Sequence, residues 1–185
     1  MLMKIYIRKL EREIKKVPEH LMIVSDSFSE EKFEQFVEWC RRFGIREITL
    51  CLRGEAEVEA RNFKLRIVKD GVVKEVGEGS VTVNLIAGFD GRKEITNAIK
   101  KLAEDVLNGR IDPEAVDERT LEKYLAVRSQ PDMILKVGND LPEFLIWQSI
   151  YSELYFADTD WKHFRYVDFL RMLRDYQRRE RRYGR

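Results

Sequence analysis

The sequence is poor in the residues that make cross-links and metal sites. Among 185 residues there are two cysteines and two histidines. Cys40 and Cys51 lack the CxxC spacing of a zinc site, and both fall in apolar segments, which predicts buried thiols in a reducing, cytoplasmic setting. His20 and His163 have no acidic or cysteine cluster beside them, so neither is a good metal ligand. No apolar stretch approaches the roughly 20 residues of a membrane span, and the N-terminus is too charged for a signal peptide.

An excess of charge of either sign is also absent. Lys and Arg number 34 against 33 Asp and Glu, so the net charge of +1 gives no whole-molecule reason to bind nucleic acid. The charge is uneven, however, because residues 171–185 hold seven arginines and two acids, a net of +5, and the rest carries −4. This basic tail fits a solvated helix face or contact with an anion or RNA. Since it lacks a series of stacking aromatic residues, nucleic acid is not the expected partner.

Apolar patterning in the first third predicts a β–α–β unit. Residues 21–25 are a short continuous apolar run, typical of a strand buried on both faces. Apolar side chains then recur at three- and four-residue steps from Phe33 to Phe43, with Ser27 or Ser29 as the N-cap and Gly44 as the stop. A second strand is predicted over residues 45–52, IREITLCL. Parallel pairing with a right-handed crossover is the default for such a unit.

The remaining segments continue this alternation. A hairpin is predicted over 62–76 with its turn at 70–71, then a strand at 81–87 and a helix capped by Asp90 and ended by Gly109. A short helix to Leu125, a buried strand at 131–136 and two helices, roughly 143–151 and 166–182, follow. No repeat or low-complexity linker divides the sequence. We therefore predict a single α/β domain over 1–185, with a mostly parallel central sheet and flanking helices.

The N-terminal residues 1–17 predict an amphipathic helix. Its apolar side chains lie near one side, with basic residues around them: Leu2, Ile5, Ile7, Leu10 and Ile14, and Lys4, Lys9, Arg12, Lys15 and Lys16. Such a helix either packs on the domain or makes a peripheral membrane contact.

Several segments carry a family resemblance. Residues 144–161, FLIWQSIYSELYFADTDW, and the sequence from there through Asp168-Phe169 to the end closely resemble the C-terminal third of the cis-prenyltransferases, the undecaprenyl and dehydrodolichyl diphosphate synthase family. The resemblance includes NLIAGFDGRKEI at residues 84–95 and PDMIL at residues 131–135. PEHLMIVSD, residues 18–26, is similar to the family's first strand and the aspartate at its tip. The blocks occur in the family's order.

The resemblance implies a doubly wound, mostly parallel sheet in a homo- or heterodimer. It also implies condensation of isopentenyl diphosphate onto an allylic diphosphate with cis geometry, with magnesium held at the diphosphates. Asp26 matches the strand-tip aspartate that supports the metal, and its alternative role is that of a helix-cap acid. Arg92 matches a family arginine near the diphosphate, and its alternative role is a salt bridge.

Both diphosphate sites of the family are altered here. The family's loop for the allylic diphosphate contains glycine, asparagine and arginine, whereas this chain has Ser27-Phe28-Ser29-Glu30 followed by Glu31. A like-charge contact at about 4 Å and an effective dielectric of about 20 costs on the order of 4 kcal/mol, which predicts that this loop does not hold a diphosphate. At the second site Lys136 replaces an arginine and lacks its planar fork. The following segment, 138–143, is about two residues short and contributes two acids.

A third departure concerns the product tunnel. Between residues 52 and 63 the family has a Phe-Ser-Asn-Trp motif and two long helices that wall the tunnel. Here the interval is ten residues, 53–62, half of them charged. Ten residues make at most about 15 Å of helix, so the tunnel helices are expected to be shortened.

The C-terminal motif of the family is kept. Arg182-Tyr183-Gly184 fits the RxG motif that crosses the dimer interface and reaches the partner's isopentenyl diphosphate. Lost loops with a retained tail resemble the non-catalytic, Nogo-B receptor type of subunit. The main hypothesis is an accessory subunit of a heterodimeric or heterotetrameric cis-prenyltransferase making long-chain polyprenyl diphosphate, with magnesium bound by the catalytic partner. Its predicted interface residues are Trp147, Tyr151, Tyr155 and Phe156.

Two alternatives stay open. The first is a catalytic, homodimeric short-chain cis-prenyltransferase that uses Asp26 and Lys136. The second is a lipid- or protein-binding module that has left prenyl chemistry.

Overall fold

Strands and helices alternate in the computed structural model, which describes residues 2–25, 27–52, 54, 56–69, 72–88, 91–125, 128–138 and 147–179. The strands are β1 (His20–Ser25), β2 (Glu47–Leu52), β3 (Lys64–Lys69), β4 (Val72–Val76), β5 (Thr82–Ala87), β6 (Met133–Val137) and β7 (Glu153–Ala157). The helices are α1 (Leu2–Glu13), α2 (Glu30–Phe43), α3 (Gly91–Leu107), α4 (Glu118–Glu122) and α5 (Tyr166–Arg178), with a 3-10 turn at Pro113–Ala115.

The strands of these residues form one sheet in the order β4-β3-β5-β2-β1-β6-β7. Pairing is parallel except in the β3–β4 hairpin. In the centre, Ile23 of β1 lies opposite Leu50 of β2 and Leu135 of β6. The predicted α/β fold with a mostly parallel sheet is thus confirmed. The carboxyl ends of the parallel strands meet at one edge, which is where ligands bind in doubly wound folds.

The larger hydrophobic core lies on the sheet face that α1, α2 and α5 cover. Phe36 of α2 is 1% exposed, and its ring centroid lies 5.4 Å from those of Trp161 and Phe169. Helix α1 joins this layer through the buried Leu10, and Tyr166 Oη of α5 donates to Glu11 Oε1 at 2.7 Å. Gly44 ends α2 in the left-handed region, with φ of 82°, as predicted.

The opposite face combines a small apolar cluster with a buried polar ladder. The cluster contains Met22, Val24, Cys51, Val68, Ile86 and Ile134. In the ladder, His20 Nε2 and Thr49 Oγ1 are hydrogen-bonded at 2.8 Å, and Asn84 Nδ2 donates to Thr49 Oγ1 at 3.0 Å. Asn84 Nδ2 also donates to Glu47 Oε1 at 2.7 Å. Since His20 is 5% exposed and Thr49 and Asn84 are fully buried, the ladder holds polar groups inside the fold.

His20 couples stability to pH. Burial lowers the pKa of His20 below its ordinary 6.5, while Glu47 and Asp132 oppose that shift. At a pH just below 6.5, the His20 side chain therefore binds a proton more readily in the unfolded chain than in the folded one. Because protonation favours the unfolded state, the free energy of unfolding is highest above pH 6.5 and falls as the pH drops below it. We expect His20→Gln to flatten this fall between about pH 6.5 and about pH 5, as measured by urea unfolding at each pH. A wild-type slope in His20→Gln would contradict the assignment.

Two predicted elements differ from those observed, and one observed strand was not predicted. The N-terminal helix ends at Glu13 rather than at residue 17. Of the helix predicted over 143–151, residues 143–146 lie outside the described residues and 147–151 form turns. Strand β7 (Glu153–Ala157) was not predicted from the sequence. Exposure alternates along β7, with Leu154 and Phe156 outward and Tyr155 against the main core, which is the two-residue period of a strand.

The last helix, predicted over 166–182, begins as expected and is described to Arg178. Within the described residues, no helix is both long enough and apolar enough to cross a membrane.

Candidate functional site

The carboxyl edge of the sheet is the place where the sequence puts the candidate site. Ser25 ends β1 there, and its Oγ donates to the Ser27 carbonyl oxygen at 2.8 Å. Asp26, the predicted strand-tip acid, lies outside the described residues, as do Asp90 and the segment 139–146. Arg182 and Gly184 lie outside them too. The described part of the site therefore consists of the start of α2, the β2–β3 crossover, the end of β6 and the start of α3.

The N-terminus of α2 is surrounded by acidic and aromatic groups. Ser29 is at the N-cap position with extended backbone, but its side chain makes no capping hydrogen bond. Glu30 and Glu31 occupy the first turn, and Glu30 Oε1 accepts the backbone N–H of Glu59 at 3.0 Å. The Phe28 ring packs against the core, with its centroid 5.8 Å from that of Phe33. The helix end that usually attracts anions therefore already has carboxylates beside it.

The crossover from β2 to β3 is packed onto the same layer. Residues 54 and 56–63 contain no helix, Val58 is 9% exposed, and Ala56 and Ala60 contact the core. Arg41 of α2 donates to the Asn62 carbonyl oxygen at 2.9 Å. A Cβ at Gly79 would meet that oxygen at 2.6 Å, so the loop after β4 also packs closely on the crossover. The shortening predicted for the tunnel helices is thus visible in the described part of this segment.

Lys136 lies near the end of β6, as predicted, and is 5% exposed. Its Nζ donates to the Val137 carbonyl oxygen at 2.8 Å. That carbonyl takes one of the three N–H donors of the ammonium.

Arg92 is exposed in the first turn of α3. The salt bridge given as its alternative role is not seen within the described ranges. Arg92 therefore stays a candidate for contact with an anion at this edge.

Glu94 and Gln148 are two polar residues of this edge that sequence reasoning missed. Gln148 is 2% exposed, and its Nε2 lies 3.4 Å from Glu94 Oε1. Burial raises the pKa of the Cys51 thiol, and the nearby Glu94 carboxylate adds to that shift, which places Glu94 beside the end of β2. Both residues belong to segments that carry the family resemblance, and this resemblance is the sequence feature from which they could have been identified.

The described residues do not by themselves fit a magnesium ion. No group of three or more His, Cys, Asp or Glu side chains among them could hold a metal. One carboxylate, Glu94, facing an amide nitrogen is not the oxygen-rich set that magnesium prefers.

The four predicted interface residues differ in exposure. Tyr155 points to the main core, and Trp147 is half-buried. Tyr151 and Phe156 are 53% and 60% exposed. With two exposed neighbours they form what we call the edge patch: Ile150, Tyr151, Leu154 and Phe156. The patch lies at the β7 end of the sheet, and exposed apolar clusters of this kind mark interaction sites.

Part of the basic tail is neutralised within the fold. Arg179 lies 2.6 Å from Asp175 and 3.3 Å from Glu153, and Arg171 lies 3.4 Å from Asp168. The excess charge of the tail is therefore smaller over the described residues than the sequence count suggests.

Comparison with known proteins decides the family. The family model described as "Putative undecaprenyl diphosphate synthase" matches residues 61–184. The chain belongs to the cis-prenyltransferase family. A tritrans,polycis-undecaprenyl-diphosphate synthase (geranylgeranyl-diphosphate specific) of Picrophilus torridus is 33% identical, over 98% of this chain and 96% of that protein. A protein of the same description from Thermococcus kodakarensis is 30% identical, over 91% and 88%.

A solved structure agrees with this fold. Lavandulyl diphosphate synthase from Lavandula x intermedia superposes with a TM-score of 0.72 at 18% identity, over 91% of this chain and 99% of that one. The similarity shows that this cis-prenyltransferase-family chain has the family's fold.

The chain is nevertheless shorter than its relatives. The alignment with the Picrophilus torridus protein extends over 246 residues, whereas this chain has 185, so on the order of 60 positions of that protein have no counterpart here. The family model begins its match at residue 61, after most of the crossover. The start of α2 and residues 53–60 therefore contribute nothing to that match.

Proposed function

We propose that this chain is the non-catalytic, Nogo-B-receptor-like subunit of a heteromeric cis-prenyltransferase. The complex would make long-chain polyprenyl diphosphate from isopentenyl diphosphate and an allylic diphosphate. The observation that carries the proposal is the α2 N-terminus, where Glu30 and Glu31 occupy the first turn and Glu30 is bonded to the crossover. A diphosphate placed there meets like charge instead of the open backbone donors that an anion needs.

The contribution to the partner follows from the retained tail. In this proposal Arg182 and Gly184 complete the isopentenyl diphosphate site of the catalytic subunit, and the magnesium ion belongs to that subunit. A bidentate guanidinium suits the first task because it matches two phosphate oxygens.

The relatives' names favour a second candidate, a catalyst in its own right, over the accessory role. The Picrophilus torridus and Thermococcus kodakarensis proteins are both described as synthases specific for geranylgeranyl diphosphate. In this candidate the chain would act as a homodimer with geranylgeranyl diphosphate as the allylic substrate, and Asp26 and Lys136 would serve the diphosphates. The acidic start of α2 argues against it.

A reconstitution assay separates the two candidates. The chain and the catalytic cis-prenyltransferase encoded in the same genome are purified and assayed alone and mixed, with radiolabelled isopentenyl diphosphate, geranylgeranyl diphosphate and magnesium. We expect product from the mixture and none from this chain alone. Product from the chain alone would establish the catalytic candidate, and a partner that is equally active without this chain would refute the accessory role.

The edge patch gives a prediction about assembly. We expect Phe156→Glu to weaken association with the partner by about thirtyfold or more, because a buried unpaired carboxylate costs at least about 2 kcal/mol at an apolar contact. Sedimentation velocity of the mixture measures this. The matched control is Val72→Glu, since Val72 is 69% exposed on β4 at the other end of the sheet. If wild type and Phe156→Glu associate with the partner equally well, the edge patch is not part of the interface.

A further inference from the structure

Helix α1 has one face already committed to the domain. Leu10 is fully buried and Ile14, just beyond the helix, is 7% exposed, while Tyr6 and Ile7 pack against the core. Glu11 accepts hydrogen bonds from Tyr166 at 2.7 Å and from Arg42 at 3.0 Å. Of the two roles open to this helix, packing on the domain is therefore observed. This packing does not explain the exposed apolar residues on the opposite side of α1.

The first turn of α1 exposes large apolar side chains. Leu2 is 84% exposed, Met3 53% and Ile5 56%. Leu2, Ile5, Lys9 and Arg12 follow one another at steps of three, four and three residues, so they share one face of the helix. This face, called here the α1 outer face, has two apolar side chains at its start and two cations in the following turns.

Positive charge surrounds these apolar side chains. Lys4 and Arg8 are also exposed on α1. Arg171 of α5 lies over the Tyr6 ring, with its guanidinium carbon 5.6 Å from the centroid, and its hydrogen bond lowers the pKa of Tyr6. Of the acids on α1, Glu11 is occupied by Tyr166 and Arg42, and Glu13 lies 3.8 Å from Lys9. Cations therefore dominate the field around the exposed first turn.

We propose that the α1 outer face docks on an anionic lipid bilayer. Leu2 and Ile5 enter the boundary between headgroups and acyl chains, and the cations of α1 contact lipid phosphates. Two exposed apolar side chains on this face are far fewer than the roughly 20–30 residues per side of a stable protein interface. They suffice for interfacial lipid binding when basic residues add attraction to anionic headgroups.

The test uses the purified full chain and vesicles of phosphatidylcholine, with and without about one-third phosphatidylglycerol. We expect sedimentation with the anionic vesicles and little with neutral ones, and a loss of binding at high salt, because the cationic part is screened. The double variant Leu2→Glu/Ile5→Glu should bind the anionic vesicles at least about tenfold more weakly. The matched control is Leu107→Glu, since Leu107 is 85% exposed on α3.

Charge and depth are tested separately. Lys9→Glu/Arg12→Glu should weaken binding about tenfold or more, whereas Lys100→Glu/Lys101→Glu, exposed on α3, should not. Tryptophan at position 2, in Leu2→Trp, should shift its emission to the blue only with anionic vesicles, and Leu107→Trp should show no shift.

Four results would overturn the proposal. Wild-type affinity in Leu2→Glu/Ile5→Glu, or equal weakening by Leu107→Glu, would show that the α1 outer face is not the contact. Absence of binding to anionic vesicles at low salt would do the same. A vesicle-free sedimentation experiment in which Leu2→Glu/Ile5→Glu converts an oligomer to a monomer would assign the face to a protein contact instead.

Discussion

Replacement of Arg182 by alanine is expected to lower the rate of isopentenyl diphosphate incorporation by the reconstituted pair about thirtyfold or more. Truncating one member of a hydrogen-bonded charge pair in an enclosed site costs on the order of 2–5 kcal/mol, and about 1.4 kcal/mol corresponds to a factor of ten. The measurement is the initial rate of label incorporation over a range of isopentenyl diphosphate concentrations, with this chain in excess over its partner.

Two further variants make the Arg182 result specific. Arg182→Lys keeps the charge but loses the planar fork, so an intermediate rate is expected. Arg178→Ala removes an exposed arginine from α5 and should leave the rate unchanged. Sedimentation of each pair verifies assembly. An assembled Arg182→Ala pair with the wild-type rate would refute the role given to the tail while leaving the edge patch untouched.

Replacement of Phe36 by alanine is expected to lower the free energy of unfolding by about 3–5 kcal/mol, a large share of the roughly 5–15 kcal/mol typical of a domain. The ring is 1% exposed and contacts four other rings, those of Trp39, Trp161, Phe164 and Phe169, at centroid distances of 5.4–6.2 Å. Removing it leaves a cavity and forfeits these ring contacts. Urea unfolding followed by circular dichroism measures the loss.

The control for Phe36 is another phenylalanine. Phe156 is 60% exposed, so Phe156→Ala should change the free energy of unfolding of the isolated chain by less than about 0.5 kcal/mol. If Phe36→Ala does not fold, Phe36→Leu keeps most of the volume and should show a smaller loss than the alanine variant. Equal losses in Phe36→Ala and Phe156→Ala would contradict the core described here.

The central sheet was predictable because its strands are buried on both faces. β1 contains the continuous apolar run of residues 21–24, and β2 and β6 are short segments rich in apolar residues; the strands were found where these segments lie. β7 was not predictable in the same way. It lies at the end of the sheet with one side exposed, so Leu154, Tyr155 and Phe156 are all apolar although alternate ones face solvent. Such a run does not distinguish a strand from a helix.

Some features of the candidate site could likewise be predicted from the sequence, and others could not. The acids after β1, the lysine at position 136 and the ten-residue crossover could all be identified from the sequence, because they are departures from a known pattern at known positions. That Glu30 bonds to Glu59 and that Gln148 faces Glu94 could not, since these pairs join residues 29 and 54 positions apart.

The sequence by itself determined the α/β class, the family and the places where this chain departs from it, because apolar periodicity and motif order are local properties of the chain. Only the tertiary structure decided which of several apolar residues stay exposed. Leu2 and Leu10 belong to the same predicted apolar side of α1, yet one is 84% exposed and the other is fully buried. The difference arises because α5, more than 150 residues further along the chain, covers the end of α1 that contains Leu10 and Glu11.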